Sequence, residues 1–206
     1  MQRKEGPLME NRKVDFVQIP DSREADFALL ENREVHLAQV LEFRDNKAAI
    51  QKEMGMDMSK GVVVSLGMNI PGPVKSGTLL SEAFHEGKVR TEELIARQGG
   101  RIAQKAVLEE QAGYAAIYLV KGIDRHTLKK EAVRLEETHP LGRLFDLDVL
   151  GEDGCPVTRE EAGAERRTCL LCGRDAKVCG RNRTHSVEEL QRKVREILVQ
   201  WKAGQK

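Results

Sequence analysis

The sequence predicts an α+β fold: a four-stranded mixed sheet with helices, built in the split order β-α-β-β-α-β. Three observations predict it. The stretch GVVVSLGMNI (61–70) is a dense β-branched run, the composition of a buried strand. KAVLEEQ (105–111) and YAAIYLV (114–120) flank Ala112-Gly113, so they read as a hairpin closed by a tight turn. RLFDLDVL (143–150) alternates apolar and polar residues and reads as a strand with one face buried.

The remaining elements follow in chain order. Residues 1–20 lack periodicity and read as a mobile N-terminus. Asp21 or Ser22 can cap a helix running to about Met54, with Phe27, Leu30, Leu37 and Leu41 on one face. Pro71-Gly72-Pro73 ends the first strand, because proline removes ladder donors and restricts the residue before it. Two short helices are expected near 77–87 and 91–98, the second stopped by Gly99-Gly100. The stretch 105–111 is also rich in helix formers, so a helical continuation competes with the strand there. Residues 124–138 read as a helix. These elements make 21–150 the expected catalytic α/β core. Beyond Gly151 the chain is polar, with a short helix expected at 158–162. Ser186 and Glu189 then form a capping box, and Val187, Leu190, Val194, Ile197, Leu198 and Trp201 stripe a closing helix. The region 151–206 is thus a basic, Cys-containing loop and a closing helix packed on the core.

The 206 residues suit one domain with an appendage, and 40% hydrophobic with 33% charged residues favours a globular chain. No apolar run reaches the roughly 20 residues that span a bilayer. The basic N-terminus is followed by no apolar stretch, so it does not read as a secretory signal, and a cytoplasmic location is expected. Net charge is only +1, but 166–185 sets Arg166, Arg167, Arg174, Lys177, Arg181 and Arg183 against Asp175 alone. In a cytosolic chain, where thiols stay reduced, cysteines clustered as at 169, 172 and 179 more often bind metal or react than form disulfides.

Asp146-Leu147-Asp148 is the sharpest chemical element. On a strand the two carboxylates leave one face, with Phe145, Leu147 and Val149 on the other. Converging carboxylates repel unless a cation lies between them, and Mg²⁺ with a phosphate substrate is the usual partner. His139-Pro140-Leu141-Gly142-Arg143 leads into this strand, bringing His139 and the phosphate-binding fork of Arg143 near the aspartates; a salt bridge is the competing role for Arg143. Asn69 to Ser76 presents Lys75 and backbone amides at a helix start, a place that favours anions, although an ordinary tight turn fits it as well. Cys169-x2-Cys172-x6-Cys179-x5-His185 could close a tetrahedral zinc site, and buried small side chains are the alternative.

Four stretches in order, ALLENRE (28–34), VVSLGMNIPGPVKSG (63–77), HPLGRLFDLDV (139–149) and RTCLLCGRDAKVCGRNRTHSVEEL (167–190), resemble the citrate lyase holo-acyl-carrier-protein synthase family, the apo-citrate lyase phosphoribosyl-dephospho-CoA transferases. The resemblance implies an enzyme that moves the 2′-(5″-phosphoribosyl)-3′-dephospho-CoA group from its triphosphate precursor to a serine of the citrate lyase acyl carrier protein (gamma chain), releasing diphosphate. The partners would then be that carrier and the donor, with neither nucleic acid nor membrane. Such a reaction fits Asp146 and Asp148 as Mg²⁺ ligands, Arg143 as a catalytic cation, and Lys75, His139, Arg181 and Arg183 as donor-binding groups. A third carboxylate is common in such sites; Glu109 or Glu110, on a strand taken to neighbour the aspartates, is the expected one. Nucleotidyltransferases also carry D-x-D on a strand, usually with a Gly-Ser motif further upstream than Gly142-Arg143, so a nucleotidyltransferase-like core is the second fold expectation. Two rival functions are a non-catalytic lyase assembly factor and a zinc-stabilised basic nucleic-acid-binding module. The second is disfavoured by five Phe, two Tyr and one Trp, too few for stacking platforms.

Overall fold

The structure, a computed structural model, describes residues 34–56, 61–151 and 154–205. Helix α1 (Leu37–Gly55) is followed by β1 (Val62–Met68), α2 (Thr78–Arg97), β2 (Arg101–Glu110), β3 (Gly113–Lys121), α3 (Arg125–Thr138), β4 (Phe145–Leu150), α4 (Ala176–Arg181) and α5 (Val187–Ala203). The strands form one sheet in the order β2-β3-β1-β4. The α+β class and the β-α-β-β-α-β order therefore stand. Every neighbouring pair is antiparallel, so the sheet is not mixed. Each βαβ unit returns its second strand two places away, and the strand inserted between runs the other way, which leaves no parallel neighbours.

Two hydrophobic layers flank the sheet. On one side Val64, Leu66, Tyr118, Phe145, Leu147 and Val149 pack with Phe84 of α2, Leu128 of α3, and Leu198 and Trp201 of α5. On the other, Val63, Ala115, Ile117, Leu119 and Leu150 meet Phe43 and Met54 of α1, with Val40 and Ile50 alongside. This corrects the face expected for α1. Leu37 and Leu41 are exposed, because the helix turns Val40, Phe43, Ile50 and Met54 toward the sheet. The helix starts only at Leu37 behind the N-cap His36, and residues 34–36 are not helical, so no single helix runs from Asp21 or Ser22 to Met54. The expected cap at Asp21 or Ser22, the face residues Phe27 and Leu30, and the 1–20 segment lie outside the described residues.

The two short helices expected between 77 and 98 are one helix, α2. Gly87 does not break it. A Cβ there would come within 2.9 Å of the Phe145 ring, so this glycine lets the helix lie directly on the core. Residues 101–110 are strand, not helix, because their pairing with β3 satisfies the backbone along nearly the whole length. The last strand begins at Phe145, after a 3₁₀ turn over Gly142–Leu144. Residues 159–163 form a turn instead of the short helix expected at 158–162. Ser186 and Glu189 do make the expected capping box on α5.

Strand β4 is a sheet edge, and its outer backbone is covered by side chains. Glu136 of α3 accepts the Leu147 N–H at 2.8 Å, and the buried Lys129 ammonium donates to the Leu147 carbonyl at 2.7 Å. Arg159 holds the second Glu136 oxygen at 2.6 Å. Removing one partner strands a buried polar group. Glu136→Ala is therefore expected to lower stability by roughly 1–3 kcal/mol in denaturant titration; an unchanged midpoint would show that water replaces the carboxylate without cost.

Candidate active site

Alternation along β4 puts Phe145, Leu147 and Val149 into the core and Asp146 and Asp148 on the α1 side, as their intermediate exposure shows. In the β1–β4 register Asp148 lies opposite Ser65, and Asp146 lies opposite Gly67. Directly opposed residues of an antiparallel pair share a face. Gly67 leaves the floor open: a Cβ there would sit 3.4 Å from the Lys47 ammonium. Ser65 is fully buried, and its hydroxyl has no hydrogen-bond partner among the described residues.

Above this floor is a cavity of about 910 Å³ between α1, the Pro71–Lys75 turn and the sheet. Asp146 and Asp148 line it together with Arg44, Lys47 and Lys52 of α1, and with Lys75. The turn is tied to the start of α1 by the Val35 N–H, which donates to the Pro73 carbonyl at 3.0 Å. The Lys47 ammonium is 3.9 Å from Asp148, and the Arg167 guanidinium is 3.5 Å from Asp146. Burial, then the charge of Asp146, pushes the Asp148 carboxyl above its ordinary pKa, against the pull of Lys47, Lys129 and Arg167. Burial and the neighbouring Arg44 push the Lys75 ammonium below its own. Carboxylates crowded on one wall and cations crowded on another describe a cavity suited to a cation and a polyanion together.

The structure brings together only some of the residues singled out from sequence. Asp146, Asp148 and Lys75 share the cavity; Arg143, His139, Arg181 and Arg183 do not line it. His139 stacks on Phe145, centroids 5.3 Å apart, beside Glu86, so it belongs to the opposite side of the sheet. Arg143 donates to the Thr168 carbonyl at 2.6 Å. Arg183 lines a second cavity of about 660 Å³ between the Asn69–Pro71 turn, the cysteine segment and the start of α5. Glu109 and Glu110 sit on β2, at the far edge of the sheet from β4, with β3 and β1 between. Three strand spacings of about 4.8 Å separate those edges, too far for a shared ion. Glu109 instead faces Lys88 and His85 of α2.

Cys169, Cys172, Cys179 and His185 converge, with one ligand atom from each lying within 4.8 Å of every other. The backbone N–H of Arg174, then the His185 ring, holds the Cys172 thiol down at about 5, whereas burial pushes the Cys179 thiol up. This Cys₃His group can bind a metal such as zinc.

Residues 35–201 match the family described as apo-citrate lyase phosphoribosyl-dephospho-CoA transferase. The chain belongs to that family. A probable apo-citrate lyase phosphoribosyl-dephospho-CoA transferase of Vibrio cholerae (strain M66-2) is 39% identical over 135 residues, 66% of this chain and 76% of the relative. One of the same description from Streptococcus pyogenes serotype M18 is 36% identical over 161 residues, 77% of this chain and 82% of the relative. Family membership supports the general activity, a transferase that acts on apo-citrate lyase. Among the described residues of this family member, no helix is long and apolar enough to cross a membrane.

Sequence reasoning missed Arg44, Lys47, Lys52 and Ser65, and counted Arg167 only as one of the charges in the basic run 166–185. Arg44 and Lys47 lie one helical turn apart on α1, a signal available in the sequence once α1 is placed against the sheet. Ser65 carried no such signal, and nothing set Arg167 apart from the other charges of its run, since each meets the aspartates only through tertiary contact.

Proposed function

We propose that this chain transfers the 2′-(5″-phosphoribosyl)-3′-dephospho-CoA group from its triphosphate precursor to a serine of the apo citrate lyase acyl carrier protein, releasing diphosphate. The observation that carries this reading is the cavity in which an aspartate pair faces Arg44, Lys47, Lys52 and Lys75. The family to which the chain belongs is that of apo-citrate lyase phosphoribosyl-dephospho-CoA transferases, a name that carries both the transferred group and the lyase.

In this reading the serine oxygen forms a bond to the innermost phosphorus of the donor. The phosphoanhydride bond to the outer two phosphates breaks, and diphosphate leaves with the electron pair and the serine proton. Arg44, Lys47, Lys52 and Lys75 bind and orient the phosphates, so the chemistry rests on positioning and charge. Two carboxylates on one face, one of them with a pKa raised despite the cations near it, and the unpartnered Ser65 hydroxyl opposite it form an oxygen-rich set of the kind that suits Mg²⁺. Asp146 and Asp148 would hold that ion, which when bound supplies neutralisation of the departing diphosphate. Arg143 and His139 fix the turn that launches β4, while Arg181 and Arg183 add donor-binding charge from the cysteine segment. The reaction is assigned to the cytoplasm, where thiols stay reduced.

The test is the intact mass of the carrier after incubation with the protein, donor and Mg²⁺. A gain equal to the prosthetic group on serine supports the reading; an unmodified carrier overturns it. Among the cations, Lys47→Ala is expected to weaken donor binding roughly tenfold or more, because it removes a charge-assisted phosphate contact. Arg181→Ala with Arg183→Ala should weaken it less, since neither lines the aspartate cavity. Equal donor affinity in wild type and that double variant would remove both arginines from the site, as calorimetric titration can decide.

A further inference from the structure

The cysteine cluster is joined to the aspartate cavity by a short chain of contacts. Arg167, two residues before Cys169, donates from one guanidinium nitrogen to the Arg143 carbonyl at 2.9 Å and to the Phe145 carbonyl at 2.7 Å. Its other terminal nitrogen lies 3.5 Å from Asp146. The Arg167 carbonyl accepts the Ala176 N–H at 2.9 Å, and Thr168 pairs with Asp175 in an isolated antiparallel bridge. Asp175 then caps α4, the helix that carries Cys179. Arg143 closes the loop from the other side through the Thr168 carbonyl. Every one of these contacts lies within, or at the root of, the segment bounded by the four potential ligands.

Apart from Leu170, which packs against the main core, that segment has few apolar anchors. Of its apolar side chains, Leu171 and Val178 are exposed. Cys169 and Cys179 are buried, and the Nε2 atom of His185 is buried with no hydrogen-bond partner among the described residues. The His185 ring thus joins the sulfur cluster and also carries a buried nitrogen with no partner among the described residues. Zinc bonded to sulfur at about 2.3 Å in a tetrahedron sets its ligand atoms under 4 Å apart. The Cys172 and Cys179 sulfurs are already 3.5 Å apart, and all four ligand atoms fall within 4.8 Å of one another.

We propose that Cys169, Cys172, Cys179 and His185 hold one zinc ion, and that this ion clamps the 167–185 segment so that Arg167 stays against Asp146 and the first residues of β4. The zinc is structural: all four positions are protein ligands, which leaves none open for a substrate. Its binding energy contributes to ordering a polar segment in which Leu170, Cys169 and Cys179 are the main groups turned inward. The effect on the aspartates rests on the transferase reading; the metal site does not.

Zinc is measured first in protein purified under reducing conditions without chelator, and about one ion per chain is expected. Metal-free, reduced protein titrated with Co²⁺ should develop thiolate-to-metal charge-transfer bands and the intense visible bands of a tetrahedral ion, both lost in Cys179→Ser. Wild-type protein that takes up neither Zn²⁺ nor Co²⁺ overturns the site. Hydrogen exchange then tests the clamp. Removing zinc should raise exchange at 167–185 while β1 and β3 stay protected; equal protection of 167–185 with and without zinc overturns the clamp. These readouts need no donor or carrier. A zinc-loaded protein whose carrier stays unmodified would sink the transferase reading alone, and a metal-free protein that still loads the carrier at the full rate would sink the clamp alone.

Discussion

Asp146→Asn and Asp148→Asn are each expected to reduce carrier loading by roughly 10²–10³-fold, the scale of losing a group that stabilises transition-state charge. Neither change should unfold the protein. Both side chains leave β4 on the cavity side, while its core side is carried by Phe145, Leu147 and Val149. Asp148 makes a sharper prediction. Burial first, and Asp146 second, raise its pKa, so the folded protein binds that proton more tightly than the unfolded chain does. Stability from this group is full below the unfolded carboxylate value and is lost as pH rises from there through the raised value. Above the raised value the ionised carboxylate is therefore a burden on the fold, and there Asp148→Asn should melt no lower than wild type while losing transfer. A variant that keeps near-normal turnover would sink the assignment. A variant that melts well below wild type would show that the Lys47 contact outweighs the repulsion.

Arg167→Ala is expected to have the second-largest effect, a fall in kcat of roughly 10–100-fold with a smaller change in carrier KM. The guanidinium both faces Asp146 and fastens two carbonyls at the start of β4. Loss of those bonds should also destabilise the cysteine segment by roughly 1–3 kcal/mol. Arg167→Lys restores the charge but not the planar fork, so it should recover part of kcat and little of the segment's protection against hydrogen exchange. Unchanged kcat in Arg167→Ala would leave the residue a structural fastener with no bearing on the reaction.

Strand β4 shows how much could be read from the chain itself. Its alternation placed two carboxylates on one face with no knowledge of the other strands, because side-chain direction in a strand has period two. The Ser186–Glu189 box and the spacing of the cysteines and His185 were legible for a similar reason: each is a pattern of local geometry within a few residues. Helix α1 shows the opposite. Leu37 and Leu41 looked like its buried face, yet Val40, Phe43, Ile50 and Met54 meet the sheet, since a helix orients by what it packs against. A first short helix was expected to end near residue 87, yet Gly87 lies inside α2 as a close-packing site against Phe145, a ring 58 positions later in the chain.

Local chemistry, then, was determined by the sequence: the strand positions to within a few residues, the closing helix and its cap, the paired aspartates, the Cys₃His pattern and the family. The partners of that chemistry were decided by the tertiary structure. Only the strand order β2-β3-β1-β4 separates Glu109 and Glu110 from the aspartates and brings Ser65 and Gly67 beside them. Only the packing of α1 on the open face supplies Arg44, Lys47 and Lys52 as the cationic wall. Backbone periodicity acts between neighbours in the chain, whereas a charged cavity is assembled from segments whose meeting depends on burial of every other apolar face.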